Sequence, residues 1–235
     1  MSIYVISDLH LSFSEKVQKP MDIFGGEWLN HAENLRENWE RVISAADTVI
    51  IAGDVSWALK LDEATPDLNW IRGMPGDKIF IRGNHDLWWA SVKKLNSMFG
   101  SDMRFLQNDF YEAEGFAVCG SRGWLCPGDE YFSEHDEKIY KRELLRLRSS
   151  LEAAKKAGFS NSNIIGVMHF PPMNEKFNAS GFTELFNEFQ VPRVFYGHLH
   201  GADGFRRGVR GNVDGTEYRL ISLDYLKCKP FKAEV

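Results

Sequence analysis

The chain has 235 residues, of which 43% are apolar and 26% are charged, and its formal net charge at pH 7 is −5. This length fits one large domain or two small ones of ordinary globular composition. The acidic balance, without a basic block, argues against a broad nucleic-acid-binding surface, and no apolar run approaches the roughly 20 residues that span a membrane.

The first hundred residues alternate between strand and helix patterns. Short apolar runs predict strands, and apolar residues at helical spacing predict the helices between them. The predicted elements are a strand at 3–7, a helix at 30–46, a strand at 48–52, a short helix at 62–72, a strand at 78–82 and a helix at 88–99. This alternation implies an α/β fold with a parallel sheet, in which the carboxyl ends of the strands meet at one edge.

The second half has a different pattern. Its predicted elements are two short strands within 110–120, a long helix at 137–157, strands at 163–168 and 193–196, and a hairpin formed by 205–210 and 216–222. The segment 126–136 is either a lid over a site or a long solvent loop. We find no repeat or interdomain linker, and we therefore predict a single domain spanning residues 1–235.

The N-terminal residues and the cysteines bear on the cell compartment. The chain start lacks the basic and long apolar regions of a signal peptide. Cys119, Cys126 and Cys228 are sparse and lack C-x-x-C spacing, which argues against a disulfide framework or a cysteine zinc site. We therefore expect a cytoplasmic protein without membrane association, while the sequence indicates no oligomeric state.

Polar side chains with metal-ligand chemistry follow five predicted strands. These residues are Asp8, His10, Asp54, Asn84, His85, Asp86, His169, His198 and His200. Each residue alone could be an ordinary turn or packing residue, but their shared position at strand ends predicts that they converge. Mixed Asp, His and Asn ligands suit Mn, Fe or Zn better than Mg or Ca. The set exceeds the needs of one ion, and one carboxylate can bridge two ions about 3.5–4 Å apart.

The ordered motifs resemble those of the calcineurin-like metallophosphoesterases. The motifs are Asp8-x-His10, Gly53-Asp54, Gly83-Asn84-His85-Asp86, His169 and Gly197-His198-x-His200. The resemblance runs from residue 8 to residue 200. It implies a four-layer α-β-β-α sandwich of two mixed sheets flanked by helices, and a centre with two divalent or mixed-valence ions.

The resemblance also implies a role for each motif residue. One ion would be bound by Asp8, His10, Asp54 and His200, and the other by Asp54, Asn84, His169 and His198. His85 would contact the phosphate and the leaving-group oxygen as a general acid, with Asp86 orienting its imidazole. Two further interpretations stay open, namely a structural role for His85 and a helix N-cap role for Asp86.

The implied activity is in-line hydrolysis of a small phosphoester by a metal-bridging hydroxide. The complete motif set is similar to bacterial phosphodiesterases that act on cyclic nucleotides and glycerophosphodiesters, which favours a phosphodiester. The only nucleic acid partner that we expect is a small nucleotide. Phosphomonoester hydrolysis at the same site is the alternative, and a non-catalytic interaction scaffold is a more distant one.

Aromatic and basic residues near the motifs could contribute to substrate binding. Trp57, Trp88, Trp89 and Trp124 closely follow motif strands. They form either an aromatic wall for a ring of the substrate or parts of the core and its rim. Arg122 either approaches the phosphate or forms a surface ion pair.

Overall fold

The computed structural model describes residues 1–234 and contains a five-stranded sheet built mainly from the first half of the chain. Its spatial order is β11-β1-β2-β3-β4, with β1 to β4 parallel and β11 antiparallel to β1. These strands are β1 (Ile3–Ile6), β2 (Thr48–Ile51), β3 (Asp77–Phe80), β4 (Met103–Phe105) and β11 (Phe231–Lys232). The parallel order brings the carboxyl ends of β1, β2 and β3 to one edge.

The second sheet has six strands in the order β5-β6-β7-β8-β10-β9. Its four central strands are parallel, and both edge strands are antiparallel to their neighbours. The strands are β5 (Phe110–Ala113), β6 (Phe116–Ser121), β7 (Ile164–Met168), β8 (Arg193–Tyr196), β9 (Gly211–Val213) and β10 (Thr216–Leu220). Both sheets are therefore mixed, as the family resemblance implied.

Six α-helices accompany the sheets in the described part of the chain. They are α1 (His31–Val42), α2 (Leu61–Arg72), α3 (Val92–Phe99), α4 (Glu134–Lys156), α5 (Gly181–Glu188) and α6 (Gly201–Arg206). The long helix α4 begins at a capping box, in which Ser133 Oγ accepts from the backbone of Asp136 and the Asp136 carboxylate accepts from the backbone of Ser133. None of these helices is long and apolar enough to cross a membrane, and the cytoplasmic location stays a prediction.

Three hydrophobic layers confirm the four-layer α-β-β-α sandwich. Leu35, Leu68 and Leu95 of the first three helices pack on the outer face of the first sheet. Residues such as Ile50 and Val167 fill the space between the two sheets. The third cluster joins α4 and α5 to the outer face of the second sheet. Burial of these apolar side chains is the main stabilising contribution to the sandwich.

Hydrogen bonds continue past the strand ends and join the two sheets. Ser7 N–H donates to Ile221 O at 3.0 Å, and Leu223 N–H donates to Ser7 O at 2.9 Å. Within the second sheet, Gly197 N–H donates to His169 O at 3.1 Å. These bonds fix the loops at the carboxyl edge of both sheets, where all five predicted motifs lie.

Two element predictions were wrong. The helix predicted at 88–99 begins only at Val92, where Ser91 is the N-cap, because the Trp88 indole donates to Asp86 Oδ1 at 3.0 Å and stays in the preceding loop. Residues 205–210 do not form the first hairpin strand, since α6 extends to Arg206 and β9 begins at Gly211. The tight turn is the Asp214-Gly215 pair, whose φ angles of 50° and 88° suit a two-residue hairpin loop.

Candidate metal centre

The first group of candidate ligands joins the ends of β1 and β8. Atoms of Asp8, His10 and His200 lie within 4.8 Å of one another. His200 Nε2 is 3.3 Å from His10 Nε2 and 3.5 Å from Asp8 Oδ1. The first two residues are buried and His200 is partly exposed, so the group opens toward solvent on the β8 side.

The second group joins the ends of β2, β3, β7 and β8. Atoms of Asp54, His169 and His198 lie within 4.8 Å of one another. His169 Nε2 is 3.4 Å from Asp54 Oδ2 and 2.8 Å from Asn84 Oδ1. The amide oxygen of Asn84 therefore adds a fourth donor to this group.

Asp54 lies between the two groups. Its Oδ2 is 3.9 Å from His10 Nε2 and 3.4 Å from His169 Nε2. Its other oxygen accepts a hydrogen bond from the backbone N–H of His85 at 2.8 Å. One carboxylate oxygen thus faces both groups while the second oxygen is fixed by the backbone. This arrangement suits a carboxylate shared by two ions.

Hydrogen bonds on the far side of two imidazoles turn their Nε2 atoms toward the centre. His169 Nδ1 donates to Ala52 O at 2.9 Å, and His200 Nδ1 lies 3.0 Å from Asp224 Oδ1. Such partners fix the tautomer and orientation of a metal-binding histidine. Asp224 is a site residue that the sequence analysis missed. The sequence feature that could have identified Asp224 is its position two residues after the end of the predicted strand at 216–222.

The pKa values of the histidines diverge because burial and carboxylate charge oppose each other. Burial lowers the pKa of His10 to about 4 and of His198 to about 3. At His169 and His200 burial acts in the same direction, but nearby carboxylates outweigh it and raise the pKa values to about 9 and about 10. The two carboxylates thus attract positive charge into the site, and bound cations would compete with protons for the imidazoles. The donor set of carboxylates, imidazoles and an amide fits two divalent ions.

The backbone at four of the candidate ligands is left-handed. The φ angles are 62° at Asp8, 45° at His10, 51° at Asp54 and 73° at His198. Residues with side chains rarely adopt positive φ, and such conformations cost of order 1 kcal/mol each. The loops after β1, β2 and β8 therefore turn sharply, which directs several side chains from short segments into one space.

The Asp86 carboxylate has partners that differ from the expected one. It accepts hydrogen bonds from the backbone N–H groups of Gly83 at 2.7 Å, Asp54 at 2.9 Å and Val55 at 2.9 Å. Among residues 1–234 no hydrogen bond joins it to the His85 ring. The helix N-cap interpretation is wrong, because α3 begins six residues later. Burial and the charge of Asp54 raise the pKa of Asp86 to about 6.

His85 lies at the mouth of the site, next to Trp57. The two ring centroids are 4.4 Å apart, and the Trp57 ring also stacks on His10 at 4.6 Å. Partial desolvation at the cavity mouth lowers the pKa of His85. Trp28, which the sequence analysis did not single out, contacts the His10 and His200 rings edge-on. The aromatic side chains thus form one wall of a cavity of about 260 Å³ above the two groups.

The other tryptophans lie outside this wall. Trp88 and Trp89 are buried against Phe105 and belong to the core. Trp124 packs against Phe170 and borders a neighbouring cavity that the segment 126–136 also lines. That cavity reaches His198, and the lid function of the segment stays a prediction.

Taken together, the fold and the paired Asp/His groups fit a site that could hold two metal ions at one edge of the sheets. Residues 1–202 match the family model described as calcineurin-like phosphoesterase. The chain therefore belongs to the calcineurin-like phosphoesterase family.

Two curated relatives share part of the sequence. The Gene 66 protein of Mycobacterium phage D29 is 34% identical over 88 residues, which are 36% of this chain and 40% of that protein. The uncharacterized protein MJ1445 of Methanocaldococcus jannaschii is 25% identical over 142 residues, or 57% of this chain and 72% of that protein. The chain thus spans less than half of the phage relative.

Two solved structures resemble this one in fold. The phosphopantetheinyl hydrolase PptH from Mycobacterium tuberculosis aligns with a TM-score of 0.58 at 17% identity, covering 99% of this chain and 95% of its own. TT1561 of Thermus thermophilus aligns with a TM-score of 0.55 at 13% identity, covering 84% of this chain and 81% of its own. At these identities the likeness extends to the fold alone.

Proposed function

We propose that this chain, as a single domain, hydrolyses a small phosphodiester at the dinuclear centre. The observation that carries the proposal is the position of Asp54 Oδ2, which faces His10 Nε2 at 3.9 Å and His169 Nε2 at 3.4 Å. We assign Asp8, His10, Asp54 and His200 to one ion and Asp54, Asn84, His169 and His198 to the other. Mn, Fe and Zn suit this mixed oxygen and nitrogen donor set.

The charge of the ligand set favours an anionic substrate. Asp8 and Asp54 are its only carboxylates, and Asn84 would ligate through a neutral oxygen. Two divalent ions would therefore leave the site positive although the chain as a whole is acidic. When bound, such ions polarise the phosphoryl oxygens and lower the pKa of a coordinated water.

His85 supports the hydrolytic role of the site. Its backbone N–H is fixed on Asp54 Oδ1, and its ring packs on Trp57 at the mouth of the cavity. From there the imidazole can reach the leaving-group oxygen, donating the proton that an alkoxide requires. The retention of this histidine with a complete ligand set favours an enzyme over a non-catalytic scaffold.

The size and lining of the cavity favour a small ester. The space of about 260 Å³ is bordered by Met21, Phe24, Trp28 and Trp57 as well as by the candidate ligands. An apolar wall suits a second organic group on the phosphate, which a diester has and a simple monoester lacks. Hydrolysis of a phosphomonoester at the same centre is the second candidate.

The deciding experiment compares bis(p-nitrophenyl) phosphate with p-nitrophenyl phosphate. The purified chain is loaded with Mn, Fe, Zn or Mg, its metal content is measured, and kcat/KM is determined for both esters. The proposal expects two ions per chain and faster turnover of the diester. Faster turnover of the monoester would favour the second candidate. Absence of hydrolysis in a chain with two bound ions would reject both.

A further inference from the structure

Three arginines form ion pairs with one buried glutamate, a fourth lies near them, and the proposed function uses none of the four. We call Arg82, Arg122, Arg142, Arg146 and Glu143 the arginine cluster. Glu143 Oε1 is 2.9 Å from Arg146 Nη1, 3.4 Å from Arg142 Nη2 and 3.6 Å from Arg122 Nη2. The Glu143 side chain is fully buried, whereas that of Arg122 is 11% exposed and that of Arg142 is 51% exposed.

The cluster adjoins the second ligand group. The backbone carbonyl of Arg122 accepts hydrogen bonds from His169 N–H at 3.2 Å and Phe170 N–H at 3.0 Å. Arg82 directly precedes the loop that carries Asn84, and its Nε donates to Asp86 O at 3.2 Å. Two of the four arginines are thus held by the same loops that present candidate metal ligands.

The positive charge of the cluster exceeds what the surrounding protein balances. Glu143 is the only acidic side chain that forms ion pairs with these arginines in residues 1–234. Even when the Asp86 carboxylate near Arg82 is counted, two positive charges remain. Burial lowers the pKa of Arg122 only to about 10, so this guanidinium stays charged at neutral pH.

Ion pairing with Glu143 does not by itself explain how these arginines are arranged. All three ion pairs converge on Oε1, while Glu143 Oε2 and Arg122 Nε are buried without a partner. Arginine–carboxylate pairs that attach a helix are frequently bidentate, with one guanidinium on both oxygens of the carboxylate. Arg148 forms such a pair on the same helix, donating to both oxygens of Glu188 at 2.8 and 2.6 Å.

We propose that the arginine cluster binds a second phosphate group of the substrate, next to the ester that is cleaved. Guanidinium groups match the planar, bidentate geometry of phosphate oxygens, and partial burial strengthens the attraction. The inference rests on the proposed function because it places the cleaved ester at the metal centre. The substrate class is a phosphoester that carries a further phosphate within reach of Arg122.

The kinetic test uses two esters that differ only in the second phosphate. These are the p-nitrophenyl ester of thymidine 5′-phosphate and the same ester with a 3′-phosphate. For the unchanged chain we expect kcat/KM to be about tenfold higher for the ester with the 3′-phosphate. We expect the ratio of the two kcat/KM values to fall toward one in Arg122→Gln and in Arg142→Gln. The Arg142 side chain is half-exposed, so its replacement should not disturb folding. The matched control Arg148→Gln keeps the preference.

A binding test separates this inference from the proposed function. Calorimetry on the metal-loaded chain compares thymidine 3′,5′-bisphosphate with thymidine 5′-monophosphate, which requires no turnover. We expect tighter binding of the bisphosphate, with the difference lost in the two cluster variants and kept in Arg148→Gln. This result without hydrolysis of either ester would reject the proposed function and keep the phosphate site. Equal binding of the two nucleotides, or a difference unchanged in both variants, would overturn the inference.

Discussion

The carboxylate of Asp86 accepts a 2.9 Å hydrogen bond from the backbone N–H of Asp54, although 31 residues lie between them in the sequence. The same carboxylate accepts from Gly83 N–H and Val55 N–H. It therefore ties the loop after β2 to the loop after β3. In residues 1–234 its hydrogen bonds reach the backbone of the candidate ligand Asp54 and none reaches the His85 ring.

We predict that Asp86→Asn lowers both stability and metal content. An amide has one acceptor oxygen where the carboxylate has two, so buried N–H groups lose partners at about 1–3 kcal/mol each. Urea unfolding and metal analysis measure the two effects, with Asp62→Asn as an exposed control. A variant that keeps both ions and loses only turnover would instead support the sequence-based role of orienting His85.

Gly83 is required for close approach of two backbones. A Cβ atom at this position would overlap with Asp54 Oδ1 and with the Asp54 nitrogen. We predict that Gly83→Ala displaces the Asp54 carboxylate and reduces the bound metal below two ions per chain. Gly73→Ala is the matched control, because its nearest new contact is an ordinary 3.4 Å to Trp70 O. Full metal content in Gly83→Ala would contradict this prediction.

We predict that His85→Asn retains the metal ions and slows hydrolysis according to the leaving group. A general acid contributes about 10²–10⁴-fold when the leaving group is a poor one. A p-nitrophenolate needs little protonation, so its release should slow much less than that of a methyl or ethyl alkoxide. The measurement is kcat for aryl and alkyl esters of the same phosphate. Equal losses for both would refute the acid role.

Asp224 orients a proposed ligand, and we predict that Asp224→Asn weakens metal binding. Removing such an outer partner costs about 10–100-fold in metal affinity. The amide can still contact His200 Nδ1 but adds no negative charge, so the imidazole becomes a weaker donor. Titration with Mn or Zn measures the change. Asp214→Asn in the exposed hairpin turn is the control, and equal affinities in the two variants would contradict the prediction.

Asp47 lies away from the metal centre, and its hydrogen bonds predict that the stability of the fold depends on pH. Its carboxylate accepts from Ser44 N–H at 2.8 Å, Ser44 Oγ at 2.7 Å and Ser2 N–H at 2.7 Å. Burial would raise the pKa of Asp47, but these hydrogen bonds outweigh it and lower the pKa below its ordinary 3.8. The stabilisation is therefore complete above pH 3.8 and lost as pH falls through the lower, folded-state value.

Comparing the wild-type protein with Asp47→Asn measures the contribution of the Asp47 carboxylate to stability. We expect the free energy of unfolding of the variant to be about 1–3 kcal/mol lower at pH 7, from the lost hydrogen bonds. The difference should shrink as the pH is lowered below 3.8 in urea titrations. A difference that stays constant over this range would contradict the prediction.

The sequence predicted the fold where one local pattern determined each element. Short, mostly apolar runs such as Thr48–Ile51 favour buried strands, and their polar ends converge because parallel strands share an edge. The edge strand Phe231–Lys232 escaped prediction because it has two residues and gains its structure from pairing with β1. The helix α5 escaped because its apolar face is only two turns long.

The roles of individual side chains were harder to predict than their presence. The motif indicated that Asp86 matters, but its partners are backbone groups of distant loops, which no local pattern reveals. The arginine cluster joins residues of two loops and one helix, from Arg82 to Arg146. Asp224 lies 24 residues from His200 and was not part of any motif. These relationships arise only when separate strands are brought side by side.

The left-handed backbone at Asp8, His10, Asp54 and His198 has a consequence for the evolution and engineering of this protein. Glycine adopts these conformations without strain, so replacing any of the four would relax the loop while deleting a proposed ligand. Selection for thermal stability alone would thus favour glycine at these positions, and the proposed metal ligands would be lost. If the proposed function is correct, these four residues would be kept only under selection for the chemistry at the sheet edge, and their presence in a divergent relative would indicate retained activity.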